Sequence, residues 1–182
     1  AMDPMHQRAS EFALRAGLHE ADHRRGWRGP LTHIEKDQYE QFLRTTPFMP
    51  QALAGSGWAK ALVTKVDKDS AQVRLGEYQG MISIRTMGWA RTPNPRVSAA
   101  AAGKVQDARK ILSPGDVIWV SAVGTTGLSN QVTVSADTGD KKSPVPVYDP
   151  SKITPDTPIQ LCPEQIPDLH GAVAYIEVDS GD

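Results

Sequence analysis

Between Trp58 and Ile84 the run "WAKALVTKVDKDSAQVRLGEYQGMISI" alternates apolar and polar residues in three short stretches, separated only by tight polar turns. A period of two marks strands with one face in a core, and turns this short join antiparallel neighbours. The chain is thereby committed to a three-stranded meander. Everything else in the sequence must cover that sheet or close it.

Upstream, residues 6 to 25 carry Ala9, Phe12, Ala13 and Ala16 at helical spacing, and Gly26 is placed to end the helix. Thr32 and Glu35 form a capping-box pattern ahead of Tyr39, Phe42 and Leu43, predicting a second, short helix bounded by Pro47 and Pro50. Downstream, "RTPNP" breaks the alternation, and "SAAAAGKVQDARKIL" (98 to 112) predicts a short helix leading into the turn "SPGD". "DVIWVSAV" then returns to strand. Residues 124 to 158, rich in Gly, Thr, Ser, Asp and Pro, read as a long surface excursion with strands at "QVTVS" and "VPVY". "PIQLCPEQIP" and "GAVAYIEV" are both strand-like, the second more continuously apolar and so more central in a sheet. Five to seven short strands with one or two flanking helices, and no internal repeat, predict a mainly β fold: a small OB-like antiparallel β-barrel.

Composition limits what such a barrel can do. The 182 residues suit one compact domain, or one domain with pieces of a neighbour. Twenty Lys and Arg against 21 Asp and Glu leave a charge of −1, no footprint for a phosphate backbone or an anionic membrane surface. The rings that could stack bases, Trp58, Tyr78 and Trp119, are scattered, so a single-strand nucleic-acid-binding OB module stands as an alternative rather than the first reading. The lone Cys162, set in "IQLCP", reads as a buried thiol; His170 is the nearest candidate base, and no G-x-S-x-G or phosphate-binding glycine loop occurs. No run approaches the length of a membrane span, and no secretory signal pattern opens the chain. "AMDP" resembles a cloning remnant, and the chain stops directly after a strand-like run, as a piece of a longer protein would.

One motif points elsewhere. "HEADHRRG", residues 19 to 26, fits the zinc-protease pattern H-E-x-x-H-x-x-G: on a helix His19 and His23 share a face, with Glu20 beside them as base. The third ligand of the extended motif would fall at Gly29, which has no side chain, leaving only His33 nearby. The competing expectation is a polar, solvated helix end. A zinc-dependent hydrolase is therefore the second alternative, with His19 and His23 as its metal candidates. In "MGWAR" (87 to 91) the expectation is a barrel-closing Trp89 with Arg91 stacked or ion-paired over it.

Taken in order, these segments resemble the class A, bifunctional penicillin-binding proteins of the 1a type. Gln7, Ala9, Glu11, Ala13, Leu14, Arg15, Gly17 and Leu18 match the helix that opens the transpeptidase region there. Asp22, Arg24, Gly26, Arg28, Gly29 and Pro30 match the turn into an inserted OB-like domain, with Trp27 in place of a tyrosine. Met87, Trp89, Ala90 and Arg91 match its M-x-W-A-R, "LSPGDVIWV" its L-x-x-G-D-V-I-x-V, and "PEQIPDLHGAVAYIEVDSG" the return strand. Glu177 and Val178 depart from the usual Asp-Pro pair. The resemblance implies four parts: a remnant at 1–5, transpeptidase framework at 6–30, the OB-like domain at 31–170 and a transpeptidase strand at 171–182. It further implies a non-catalytic regulatory or docking domain, because S-x-x-K, S-x-N and K-T-G are all absent. No cofactor is expected. Its partners would be the glycosyltransferase and transpeptidase domains of the same chain and an outer-membrane lipoprotein activator, in the periplasm, with the parent anchored in the inner membrane. Arg28, Gly29, Pro30, Met87, Trp89, Arg91, Gly115 and Asp116 are the structural or interface candidates.

Overall fold

A computed structural model of the chain describes residues 4–55, 57–124 and 147–168. Helix α1 spans Pro4–Arg25. It is followed by the two-residue strand β1 (Thr32–His33), a 3₁₀ turn at Lys36–Gln38 and the short helix α2 (Tyr39–Thr45). The capping residues differ from the sequence expectation. Thr32 lies in β1, and the Gln38 side chain accepts the Glu35 N–H at 3.1 Å, so the turn starts three residues later. Pairing of Thr32 with Val117 takes this segment into the sheet before a helix can begin.

The meander forms as the alternation requires: β2 (Ala59–Val66), β3 (Ser70–Leu75) and β4 (Tyr78–Ser83), paired antiparallel in sequence order. β5 (Asp116–Ala122) lies antiparallel to β2, and β6 (Ile159–Glu164) completes the ring by pairing with both β4 and β5. The result is a closed barrel of five strands, β2-β3-β4-β6-β5, with β1 attached to the free part of the β5 edge. One seam differs from the all-antiparallel expectation: β4 and β6 run parallel, because a long crossover separates them. Of the helix expected within 98–112, only a 3₁₀ turn at Ala108–Lys110 forms.

Inward side chains fill the barrel. Ala61, Val63, Ala71, Val73, Leu75, Ile82, Ile118, Val120 and Leu161 are at most 1% exposed, and Leu53, Met87 and Leu112, from outside the strands, join the same core. Leu62 and Val117 point outward, beneath Leu43 of α2 and its neighbours Tyr39 and Phe42. The crossover is tied down where it is described: the Tyr148 hydroxyl donates to the Pro50 carbonyl at 2.9 Å, and Ile153 packs on the core. Val147 and Tyr148, the described half of the expected strand "VPVY", have irregular backbone. The expected strands at 131–135 and 171–178, the transpeptidase segment 171–182 and His170 lie outside the described residues.

Candidate functional site at the joint of helix and barrel

Helix α1 meets the barrel through its last two turns, and the residues buried there are polar. His19, Asp22 and His23 are 3%, 0% and 8% exposed. The i, i+4 spacing puts both imidazoles on one face, and that face rests on the end of β6. His19 Nε2 lies 2.6 Å from Glu164 Oε2, and the Ser121 hydroxyl on β5 donates to Glu164 Oε1 at 2.8 Å. His23 Nε2 is 3.9 Å from the same carboxylate oxygen and is buried without a hydrogen-bond partner. Its ring stacks flat on Trp89, centroids 3.6 Å apart, and sits 4.0 Å from that of His19. Burial, reinforced by the adjacent His19, pushes His23 down to about 3 against the opposing pull of Asp22, so its ring is neutral near pH 7. The histidine face is thus buried against the barrel, correcting the expectation of a solvated helix end. Only the other flank is solvated, where Glu20 and Arg24 pair in the open.

One turn on, Asp22 gathers a second set of contacts. Arg28 Nη1 reaches Asp22 Oδ1 at 2.6 Å, the Gln165 amide donates to Oδ2 at 2.7 Å, and the Asp168 N–H donates to Oδ1 at 3.2 Å. Burial acts to raise the pKa of Asp22, but the Arg28 guanidinium and the two N–H donors outweigh it and hold the carboxyl below its ordinary value. Gln165 also donates to the Gly26 carbonyl at 2.8 Å and accepts the Arg28 N–H at 3.1 Å, while Arg28 Nη2 reaches the Ile166 carbonyl at 2.5 Å. The segment entering the barrel and the segment leaving it are therefore clasped together, side chain to backbone in both directions.

The remaining sequence candidates are fastened to this joint or to the corner beside it. Gly26 has φ 99°, and a Cβ there would stand 2.3 Å from the Arg91 carbonyl, which accepts the Trp27 N–H at 2.8 Å. Only glycine allows that approach. Arg91 does not stack on Trp89: its guanidinium bonds the Arg24 carbonyl at the C-terminal end of α1, where a cation is favoured. Trp89 is taken instead by His23, and Met87 is fully buried. Gly29 turns the chain with φ 100°, and Pro30 leads into Leu31, whose N–H bonds the Val117 carbonyl. At the same end of β5, Gly115 (φ 99°) brings its backbone against Ile34, and Asp116 Oδ1 lies 2.8 Å from His33 Nδ1. His33 is therefore engaged on β1, apart from the histidine pair. The third group beside His19 and His23 is Glu164, not the His33 that chain proximity suggested.

Sequence reasoning missed Glu164, Gln165 and Ser121. The available signal was "PEQ", a charged and an amide residue ending an otherwise apolar strand. Cys162 is 7% exposed, and desolvation, with the Glu164 charge adding, pushes its thiol up to about 12. It is unfit as a nucleophile near neutrality. The scattered rings are occupied too: Tyr78 packs edge-on against Phe48, and Trp58 tilts toward Trp119.

The fold and joint define a class: a closed five-stranded OB-type barrel whose two connecting segments are tied at one corner. The sequence matches the penicillin-binding protein OB-like domain over residues 27–137, and the chain belongs to that family. It is 29% identical to Penicillin-binding protein 1A of Rickettsia felis over 124 residues, and 28% identical to that of Rickettsia bellii over the same length. With that of Rickettsia typhi the identity is 30%. Each alignment covers 68% of this chain and 14% of the relative, so the chain spans about a seventh of those proteins.

Proposed function

We propose that this chain is a non-catalytic regulatory and docking domain inserted into a bifunctional peptidoglycan synthase, one that polymerises glycan strands and cross-links them through a penicillin-sensitive transpeptidase. The observation that carries the reading is the clasp of Asp22, Arg28 and Gln165. An inserted domain must leave its host where it entered, and adjacent ends are what make insertion tolerable. Here the two ends are bonded to each other. Beside the clasp a cleft of about 210 Å³ opens between Trp27 and Trp119, with Leu31 and Ile166 exposed at its mouth. An apolar rim at the point of emergence suits contact with the host's catalytic domains. A lipoprotein activator would dock elsewhere on the barrel, in the periplasm, with the parent anchored in the inner membrane. Among the described residues no helix is long and apolar enough to cross a membrane.

The zinc-hydrolase alternative loses its base in this geometry: Glu20 points to solvent, paired with Arg24, while both histidines face inward. The test uses fluorescent penicillin. The isolated chain should take no label, and a parent synthase lacking residues 31–165 should still be acylated while losing stimulation by its activator. Label on the isolated chain, or full stimulation after the deletion, overturns the proposal.

A further inference from the structure

Three groups at the joint present more ligand capacity than hydrogen bonding uses. We propose that His19, His23 and Glu164 form a structural site for a divalent transition-metal ion, zinc by its donor set, which ties helix α1 to strand β6. The donor atoms all lie within 4.8 Å of one another. Two nitrogens and one oxygen around a single zinc, each roughly 2.0–2.2 Å from it, stand about 3.3 Å apart in tetrahedral geometry. The separations here, 2.6 Å from His19 and 3.9 Å from His23 to Glu164 Oε2, bracket that value. Each of these two separations lies within about 0.7 Å of it.

The independent pointer is His23 Nε2. A buried ring nitrogen with no partner is a cost that native interiors avoid, and this one faces the carboxylate in a side chain 9% exposed. A metal ion satisfies it directly. The surroundings hold the ligands still: Trp89 fixes the plane of the His23 ring, and Ser121 holds the second oxygen of Glu164. Such outer contacts set the orientation on which metal affinity depends. Imidazole nitrogens with one carboxylate select zinc and its neighbours in the transition series over magnesium or calcium. The fourth position would be taken by water. Glu20, the base of the protease motif, lies on the solvated flank of the helix paired with Arg24 and not beside that water, so the role is a tie rather than a reaction centre.

The test takes the chain freed of any histidine tag and stripped with chelator, then dialysed against zinc or cobalt(II) alone. We expect one zinc per chain by plasma mass spectrometry, a rise in Tm on adding zinc, and the intense visible bands of four-coordinate cobalt. His23→Gln should retain the native far-UV circular dichroism, because the replaced nitrogen makes no hydrogen bond, and should weaken zinc binding more than about 100-fold, beyond the roughly 10–100-fold that losing an outer partner costs. Ser121→Ala should fall within that smaller range, and Glu20→Gln should bind as the parent does. No zinc above the buffer blank overturns the proposal, as does stoichiometric zinc persisting in His23→Gln. Should His23→Gln fail to fold, the parent's cobalt spectrum decides: six-coordinate or absent bands overturn the site. The docking proposal stands whichever result is obtained, since it concerns penicillin and activator rather than metal.

Discussion

The inside of the barrel and the joint beneath α1 are both buried but are held together by different physics. In the barrel, Val73, Ile82, Ile118 and Leu161 exclude water through shape and area, while the strands satisfy one another's backbone. At the joint, His19, Asp22, Glu164 and Gln165 are buried as well, yet each is placed by directed hydrogen bonds to particular partners, and His23 by its stack on Trp89. Apolar packing accepts many solutions of similar volume. A polar joint accepts few, because a buried donor or acceptor that loses its partner keeps its full desolvation cost. The barrel therefore supplies stability, and the joint supplies orientation.

The largest effect should come from the barrel. Ile82→Ala, at a site with no exposure, should cost about 2–5 kcal/mol and lower the urea midpoint of the whole domain. Asp22→Ala should cost less, on the order of 1–3 kcal/mol, since Gln165 would lose its carboxylate partner in the interior while Arg28 remains partly solvated. Its signature would be local: proteolysis near Gly26 with the barrel's amide protection intact. Equal loss of protection in barrel and helix would erase the distinction between the two regions.

A subtler effect concerns the strand common to both. An unfolded Cys162 ionises near 9 and the folded thiol near 12. Between those values the unfolded chain binds fewer protons, so this group's contribution to stability falls as pH rises through the window. Chemical denaturation across that range should show the decline, and Cys162→Ser should flatten it. Consistently, the native thiol should resist alkylation at mildly alkaline pH and react once urea opens the barrel. The smallest effect belongs to the solvated flank of α1. Glu20→Ala removes an ion pair whose side chains are 66% and 64% exposed, and should change stability by under about 0.5 kcal/mol.

The same division explains what could be read from the sequence. The meander was legible because alternation is a local property, and "WAKALVTKVD" carries its own instruction to pair. The crossover was not, since nothing in residues 84 to 158 states that β6 will lie parallel to β4. The joint was legible in halves. "HEADHRRGWRGP" announced two histidines on one face, but their carboxylate lies more than 140 residues further along the chain. Without it the pattern offers a choice between a protease and a solvated helix end; with it, the histidine face is seen buried against the end of β6.

Strand β6 sets the order in which this domain can become whole. It is the last of the described barrel strands to leave the ribosome, and until it arrives β4 and β5 keep open edges and α1 has no Glu164 or Gln165 to grip. Pairings between residues so distant in sequence form slowly, because the loop must be closed before the contact returns anything. Closing the barrel and seating the helix consequently both wait on this strand. A nascent chain arrested before Glu164 should hold the meander and leave α1 undocked.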